Sequence, residues 1–306
     1  MLTTYNEGGL HWVDLDRPSQ AEVAGLAQTY KLSPIVAEEL AGPGSQPRVD
    51  IFGHYIYLRL NFPIFTKRGS GKEDRSQELN IILGKDFLIT AHYENVRQLF
   101  DMARIIETAS LLGRHPYSDA GQLFFALMDK LYRAIGKELK GLDARLQAIE
   151  ERIFAGNERD MVADLSRASR DTIDLRRDLR AHAPVLAAFA NGFHKIFDHE
   201  FSFELESLRS KNEELLSMLE GNRELLNDLR RTNDSLLSTK TNEAIKVLSV
   251  MGFIMFPLTL IAGIFGMNTT YLPFIGMEHD FAYVVAIMVA VFIGLWCYLA
   301  KKGWLR

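Results

Sequence analysis

Two apolar stretches near the end of the chain constrain its fold more than any other feature. Val247 to Phe265 is apolar except for Ser249 and Thr259, and Phe281 to Ala300 forms a second run of about the same length. Each is long enough to cross roughly 30 Å of hydrocarbon. Between Val247 and Ala300 the only charged residues are Glu278 and Asp280. The connection from Gly266 to Asp280 is too short to fold alone, so the runs are expected to form a hairpin of two membrane spans rather than two buried helices of a soluble core. Lys240 and Lys246 precede the first span and Lys301, Lys302 and Arg306 follow the second, while the connection holds no Lys or Arg. The positive-inside rule then places both termini in the cytoplasm and the loop outside, as a multi-pass protein of the cell (inner) membrane.

The remainder of the 306 residues carries the charge. A hydrophobic share of 47% and a charged share of 24% look like soluble averages, but they conceal a soluble region joined to a membrane-embedded end. The net charge of −4 gives no reason to expect nucleic acid. The one cysteine, Cys297, lies in the second apolar run, which excludes an intrachain disulfide framework and a cysteine-rich zinc site. The start, MLTTYNEGGLHW, has neither a basic opening nor an apolar core, so a cleaved signal peptide is not expected.

Residues 9 to about 95 read as mixed α/β. LHWVDLD is a short strand, PSQAEVAGLAQTY a helix opened by Pro18 and Ser19, and SPIVAEEL a second helix ended by AGPG. HYIYLRLNFPIF is a strand, RGSGKEDRS a solvated loop, and ELNIILGKDFLITAHY two strands joined at Gly-Lys-Asp. From Val96 onward the pattern is helical. Two long amphipathic segments are separated by AGNERD, and a third helix begins near His199 and runs to Gly266 with only Pro257 inside it. About 65 helical residues make a rod on the order of 100 Å, as a stalk entering a membrane would.

At 100° per residue, Asn242, Ile245, Ser249, Gly252, Phe256, Thr259 and Gly263 fall within an arc of roughly 100° on this helix. The stripe holds most of the small and polar residues of the segment. It suits close packing between helices in lipid. It also suits a pore wall, with Asn242 and Thr259 as polar rings and Ile245 and Phe256 as apolar constrictions. One such helix per chain encloses nothing, so a pore requires a ring of subunits.

The run TNEAIKVLSVMGFIMFPLTLIAGIFGMN, followed by a short loop, a second span and a basic end, resembles the CorA family of divalent-cation channels and transporters. The family signature is Gly-Met-Asn at the outer end of the first span, here Gly266, Met267 and Asn268. HWVDLDRPSQAEVAGLAQTYKLSPIVAEEL and LNIILGKDFLITAHYE resemble its cytoplasmic domain. The resemblance implies an α+β membrane protein that assembles as a funnel-shaped homopentamer. Its parts would be a cytoplasmic αβα domain with a long helical hairpin over 1–198, a stalk helix over 199–246, a pore-lining span over 247–268, an extracellular loop over 269–280, a second span over 281–300 and a basic cytoplasmic tail over 301–306. Mg²⁺ is the expected cargo, with Co²⁺, Ni²⁺ or Zn²⁺ carried by some members. Asn242, Thr259, Gly263 and Asn268 match pore positions of the family, and Asn268 would meet the metal through its hydration shell.

Some positions depart from the family pattern. Members that carry Mg²⁺ often have acids soon after Gly-Met-Asn, where this chain has Thr269, Thr270 and Phe274. Glu278 and Asp280, flanking His279, are the nearest acids, expected to attract cations to the loop. A proton-coupled Zn²⁺ transporter resembling ZntB is therefore the same-fold alternative, and a non-conducting membrane scaffold is the alternative of another class. Glu200, Glu204 and Glu206 at the start of the stalk are candidate regulatory metal ligands, beside the reading as a solvated helix face. RGSGKED lacks the spacing of a phosphate loop, and the Asn-Thr-Thr sequon at Asn268 would put a glycan in the pore mouth. No constellation of nucleophile, base and orienting group stands out, so neither an enzyme nor a cofactor is expected.

Overall fold

The computed structural model describes residues 1–7, 9–44, 46–63, 76–197, 201–267 and 279–304. The chain divides into two compact units, Met1–Arg230 and Arg231–Arg306. In the first, a six-stranded sheet has the order β1-β2-β6-β5-β4-β3. Its strands are β1 (Leu2–Glu7), β2 (Leu10–Asp16), β3 (Arg48–Ile51), β4 (Tyr55–Pro63), β5 (Ser76–Gly84) and β6 (Phe87–His92). Every pairing is antiparallel except β2 with β6, where Trp12 lies opposite Leu88 and Asp14 opposite Thr90. The expected hairpin at Gly-Lys-Asp is the β5–β6 connection.

Two short helices, α1 (Gln20–Thr29) and α2 (Pro34–Leu40), cover one face. Ser19 caps α1 in a full capping box with Glu22, and Pro34 opens α2 where its missing N–H costs nothing. Val23, Leu26, Val36 and Leu40 pack there on Val13, Leu15, Tyr55, Tyr57, Ile82 and Ile89. The same side buries a charge. Arg59, 4% exposed, forms ion pairs with Glu39 and Glu78 and donates to Asn80 Oδ1 (3.1 Å) and Tyr57 Oη (2.9 Å). A guanidinium is tolerated inside a protein only when it is paired and hydrogen-bonded in this way. A Cβ on Gly44 would collide with that guanidinium, which is why the α2–β3 loop needs glycine there.

The other sheet face meets helices α4 (Ala120–Phe154) and α5 (Glu158–Phe197), after α3 (Arg97–Leu111). Phe62 on β4 contacts both Tyr132 of α4 and His182 of α5. His182 is fully buried between the Asn61 carbonyl (2.7 Å from Nε2) and the Tyr132 hydroxyl (3.0 Å from Nδ1). A carbonyl only accepts, so Nε2 carries the proton and Nδ1 accepts from Tyr132. Burial pushes the His182 pKa down to about 4, and the ring is neutral.

The third long helix, α6, runs Ser202–Phe265, about 95 Å at 1.5 Å per residue. Up to Arg230 it belongs to the first unit. Phe201, just before its start, then Leu205, Leu208, Asn212, Leu215, Leu219, Asn222, Leu226 and Leu229, are buried there in alternating four- and three-residue steps. α4 repeats the steps from Met128 to Ile153. This 3.5-residue period is that of helices packed as a coiled coil. Polar contacts fix the register: Asn222 donates to the Leu139 carbonyl (3.1 Å), Arg176 pairs with Glu220 (2.7 Å), and Lys211 pairs with Asp129. The second unit holds the rest of α6 and the helix α7 (Asp280–Lys301).

Candidate functional site, the membrane hairpin

α6 is unbroken through Pro257. Proline has no N–H to give, so the Phe253 carbonyl, four residues back, lacks its helical donor. The helix closes with Gly266 N–H on the Ala262 carbonyl (2.9 Å) and Met267 N–H on the Ile264 carbonyl (3.3 Å). Gly266 is not in the left-handed region; it is needed for close approach, because a Cβ there would stand 3.0 Å from the Ala262 oxygen. Asn268 and Glu278 lie outside the described residues, as does Glu200. Asp280 begins α7, directly after the exposed His279, with its side chain outside the description.

α6 and α7 are both long and apolar enough to cross a membrane, and little of the apolar stretch of either is buried within the chain. What burial there is falls on one side of each. On α6 the less exposed positions from Val250 onward are Val250, Ile254, Pro257, Leu258, Ile261 and Phe265, apart from Gly252, which lies beside the Phe256 ring on the other side; on α7 they are Val284, Ile287, Met288, Val291, Leu295 and Leu299. Ile254 and Leu299 are the most buried, at 8% and 3%. The Phe253 and Tyr298 rings stack across the hairpin at 6.3 Å.

The predicted stripe lies elsewhere. At 100° per residue its centre is roughly 160° around α6 from the covered positions. Asn242, Ile245, Ser249, Phe256, Thr259 and Gly263 are exposed and Gly252 is half-exposed. The two large apolar members, Ile245 and Phe256, are 55% and 78% exposed. The Thr259 hydroxyl donates to the Met255 carbonyl (2.9 Å), so its oxygen remains free to accept. Nothing in the stripe is ionisable. A single chain lines these residues along one side of one helix and brings none of them into a ring.

The stalk acids gather no metal-like group. Glu206 is exposed and pairs with Arg209 (3.4 Å) on its own helix, and Glu204 is half-exposed in the first turn of α6. No group of three or more His, Cys, Asp or Glu suited to a metal ion occurs among the described residues. Sequence reasoning missed the freed Phe253 carbonyl, which Pro257 alone would have disclosed.

The family model for CorA-like Mg²⁺ transporter protein matches residues 7–302. The cobalt/magnesium transport protein CorA of Thermotoga maritima is 25% identical over 99% of this chain and 88% of its own length. The complete structure of the CorA magnesium transporter from Methanocaldococcus jannaschii superposes with a TM-score of 0.82 at 22% identity, covering 99% of this chain and 93% of that one. The ZntB cytoplasmic domain from Vibrio parahaemolyticus gives a TM-score of 0.61 at 11% identity over 76% of this chain and 88% of that one.

Proposed function

The chain belongs to the CorA-like Mg²⁺ transporter family, and from that premise we propose that it carries divalent cations, Mg²⁺ foremost, through a homopentameric membrane pore lined by α6. The observation that carries this reading is the polar and small-residue stripe on the side of α6 turned away from α7. A lipid-facing helix has no use for Asn242, Ser249 and Thr259 on one uncovered side. Five copies facing an axis supply a wall of amide, hydroxyl and carbonyl oxygens with no buried charge.

Such a wall suits Mg²⁺. The ion sheds water reluctantly and binds hard oxygen ligands. In this reading the Asn268 amide oxygens form a ring at the outer mouth and accept hydrogen bonds from the ion's waters, while Gly266 lets the helix end pack closely. Ile245 and Phe256 form apolar constrictions that gate by dewetting. Glu278 and Asp280 raise the local cation concentration, an effect that salt screens. Both termini lie in the cytoplasm. Zn²⁺ held directly prefers His, Cys or carboxylate ligands, and the stripe has none.

Two measurements test the proposal on the purified full chain. Native mass spectrometry in mild detergent should show five copies; a monomer or dimer as the only species would favour a scaffold. Liposomes containing the protein should take up Mg²⁺ without a pH gradient. Uptake of Zn²⁺ alone, dependent on a pH gradient, would move the chain to the zinc branch.

A further inference from the structure

Between the C-terminal half of α3 and the start of α4 lies a shallow, open groove of about 560 Å³. Arg104, Arg114 and Lys130 line it, with Asp101 and the apolar Ile105 and Leu112. None of the three cations has an ion-pair partner among the described residues. Elsewhere in this unit arginines such as Arg59, Arg133, Arg145 and Arg176 are paired with carboxylates. The acid nearest in sequence to Lys130 is taken: Asp129 holds Arg133 (2.6 Å) and Lys211.

Arg104 and Arg114 are exposed, and the backbone sets where they lie. α3 ends with Gly113 at φ 64°, whose N–H bonds to the Ser110 carbonyl, while the Arg114 N–H bonds to the Ala109 carbonyl, both at 2.9 Å. This Schellman turn sets Arg114 back against the helix that carries Arg104. Lys130 is half-buried on α4. The apolar side is open as well: Leu112 is exposed, as is Ile105. Three unneutralised cations, one carboxylate and an uncovered apolar side describe a complement for a ligand that is anionic at one end, carries hydroxyls and has an apolar body.

We propose that this cavity binds a small phosphorylated organic molecule of the nucleotide class. Arginine grips phosphate oxygens two at a time and lysine adds a point charge. Asp101 repels a bare anion but accepts hydrogen bonds from sugar hydroxyls, and Ile105 and Leu112 meet the base or another flat apolar part. The Thr108 hydroxyl donates to the Arg104 carbonyl (2.7 Å) and so serves the ligand only as an acceptor. The site is independent of the transport reading, since no residue of the hairpin enters it.

Isothermal titration of the full chain in detergent, with EDTA present, tests this with ADP and pyrophosphate as probes. ADP should bind once per chain, and R104Q/R114Q/K130Q should weaken it at least about tenfold. Arg170→Gln, on exposed α5 surface outside the cavity, should leave binding unchanged. Leu112→Ser should weaken ADP and spare pyrophosphate. All are surface changes, and an unaltered far-UV spectrum confirms the fold. No binding of either probe at about 1 mM, or wild-type affinity in the triple variant, overturns the proposal. Pyrophosphate binding with ADP excluded overturns the organic ligand.

Discussion

One helix, α6, lives in two environments. Before Arg230 it buries a residue at every third or fourth position against the helices of its own unit, with Leu219 completely enclosed. After Arg231 its own chain covers a single side, and Met251, Met255, Phe256 and Leu260 remain widely exposed. A side chain like Leu219 gains its stability from water excluded by neighbours in the same chain. A side chain like Met251 can gain it only from lipid, and the polar stripe only from other copies and the ion. The same secondary structure therefore supports a folding role in one half and, in our proposal, a conducting role in the other.

The largest expected effect separates the halves by function. Asn268→Ala removes the proposed ring at the mouth. Mg²⁺ uptake into liposomes should fall to background while the pentamer and its denaturant midpoint are retained. Uptake at the wild-type rate would dissociate the Gly-Met-Asn end from selectivity.

The second effect separates them by stability. Leu219→Ala should cost about 2–5 kcal/mol, the usual range for a buried leucine whose site cannot collapse. Met251→Ala should stay within about 0.5 kcal/mol, as for surface positions. Denaturant unfolding of the full chain followed by a probe in the first unit reads both. A large cost at Met251 would show that this side of α6 is covered by another protein chain and not by lipid.

Much of this division was legible in the sequence, and the reasons differ by element. The membrane hairpin announces itself by composition alone. So do β4, β5 and β6, whose central positions leave near-continuous apolar runs. The edge strands β1 and β3 were not read, because LTTYNE and RVDI pair on one side only and carry little apolar signal. The parallel pairing of β2 with β6 joins residues 76 positions apart, such as Asp14 and Thr90, and no local pattern encodes it. Arg59 looked like a charge inside a strand; its partners Glu39 and Glu78 become visible only when three elements meet. The stripe from Asn242 to Gly263 follows from helical spacing, but that α7 covers the opposite side required the structure.

The third effect concerns pH and belongs to the first unit alone. His182 is buried with its pKa lowered to about 4 from 6.5. The unfolded chain binds the proton more tightly, so the stability from a neutral His182 is complete above pH 6.5 and is lost as pH falls toward 4. The difference, 6.5 − 4 = 2.5, corresponds to about 3 kcal/mol. His92 has the opposite sign. Burial opposes its charge, but the Asp14 carboxylate, 3.4 Å away, and the Glu94 carbonyl outweigh burial and raise its pKa. Its contribution is present below pH 6.5 and disappears as pH rises through the raised value. His92→Gln should therefore lower stability by a constant amount below pH 6.5, leave the slope between pH 6.5 and 4 unchanged, and abolish the gain that the wild type shows as pH falls through the raised value to 6.5; unfolding midpoints across both windows measure it. A variant more stable than the wild type below pH 6.5 would reverse the assigned sign.

The smallest effect tests how α6 is attached to its bundle. Arg176 Nε donates to Glu220 at 2.7 Å, and Arg180 and Arg223 approach the same carboxylate; burial opposes the charge of Glu220, but Arg223 and Arg176 outweigh it and hold its pKa down. The pair is partly open to solvent, and such pairs contribute about 0–1 kcal/mol because water and salt screen them. Glu220→Gln keeps the shape and removes the charge, so it should shift the denaturant midpoint slightly at low salt and not at all near 1 M, where the Debye length is about 3 Å. The apolar seam of Leu215, Leu219 and Leu226 would then carry the attachment, with the charges setting register. A loss in Glu220→Gln as large as that of Leu219→Ala, unchanged by salt, would mean that the first half of α6 is held by its ion pairs, and the contrast between its two halves would rest on charge rather than on burial.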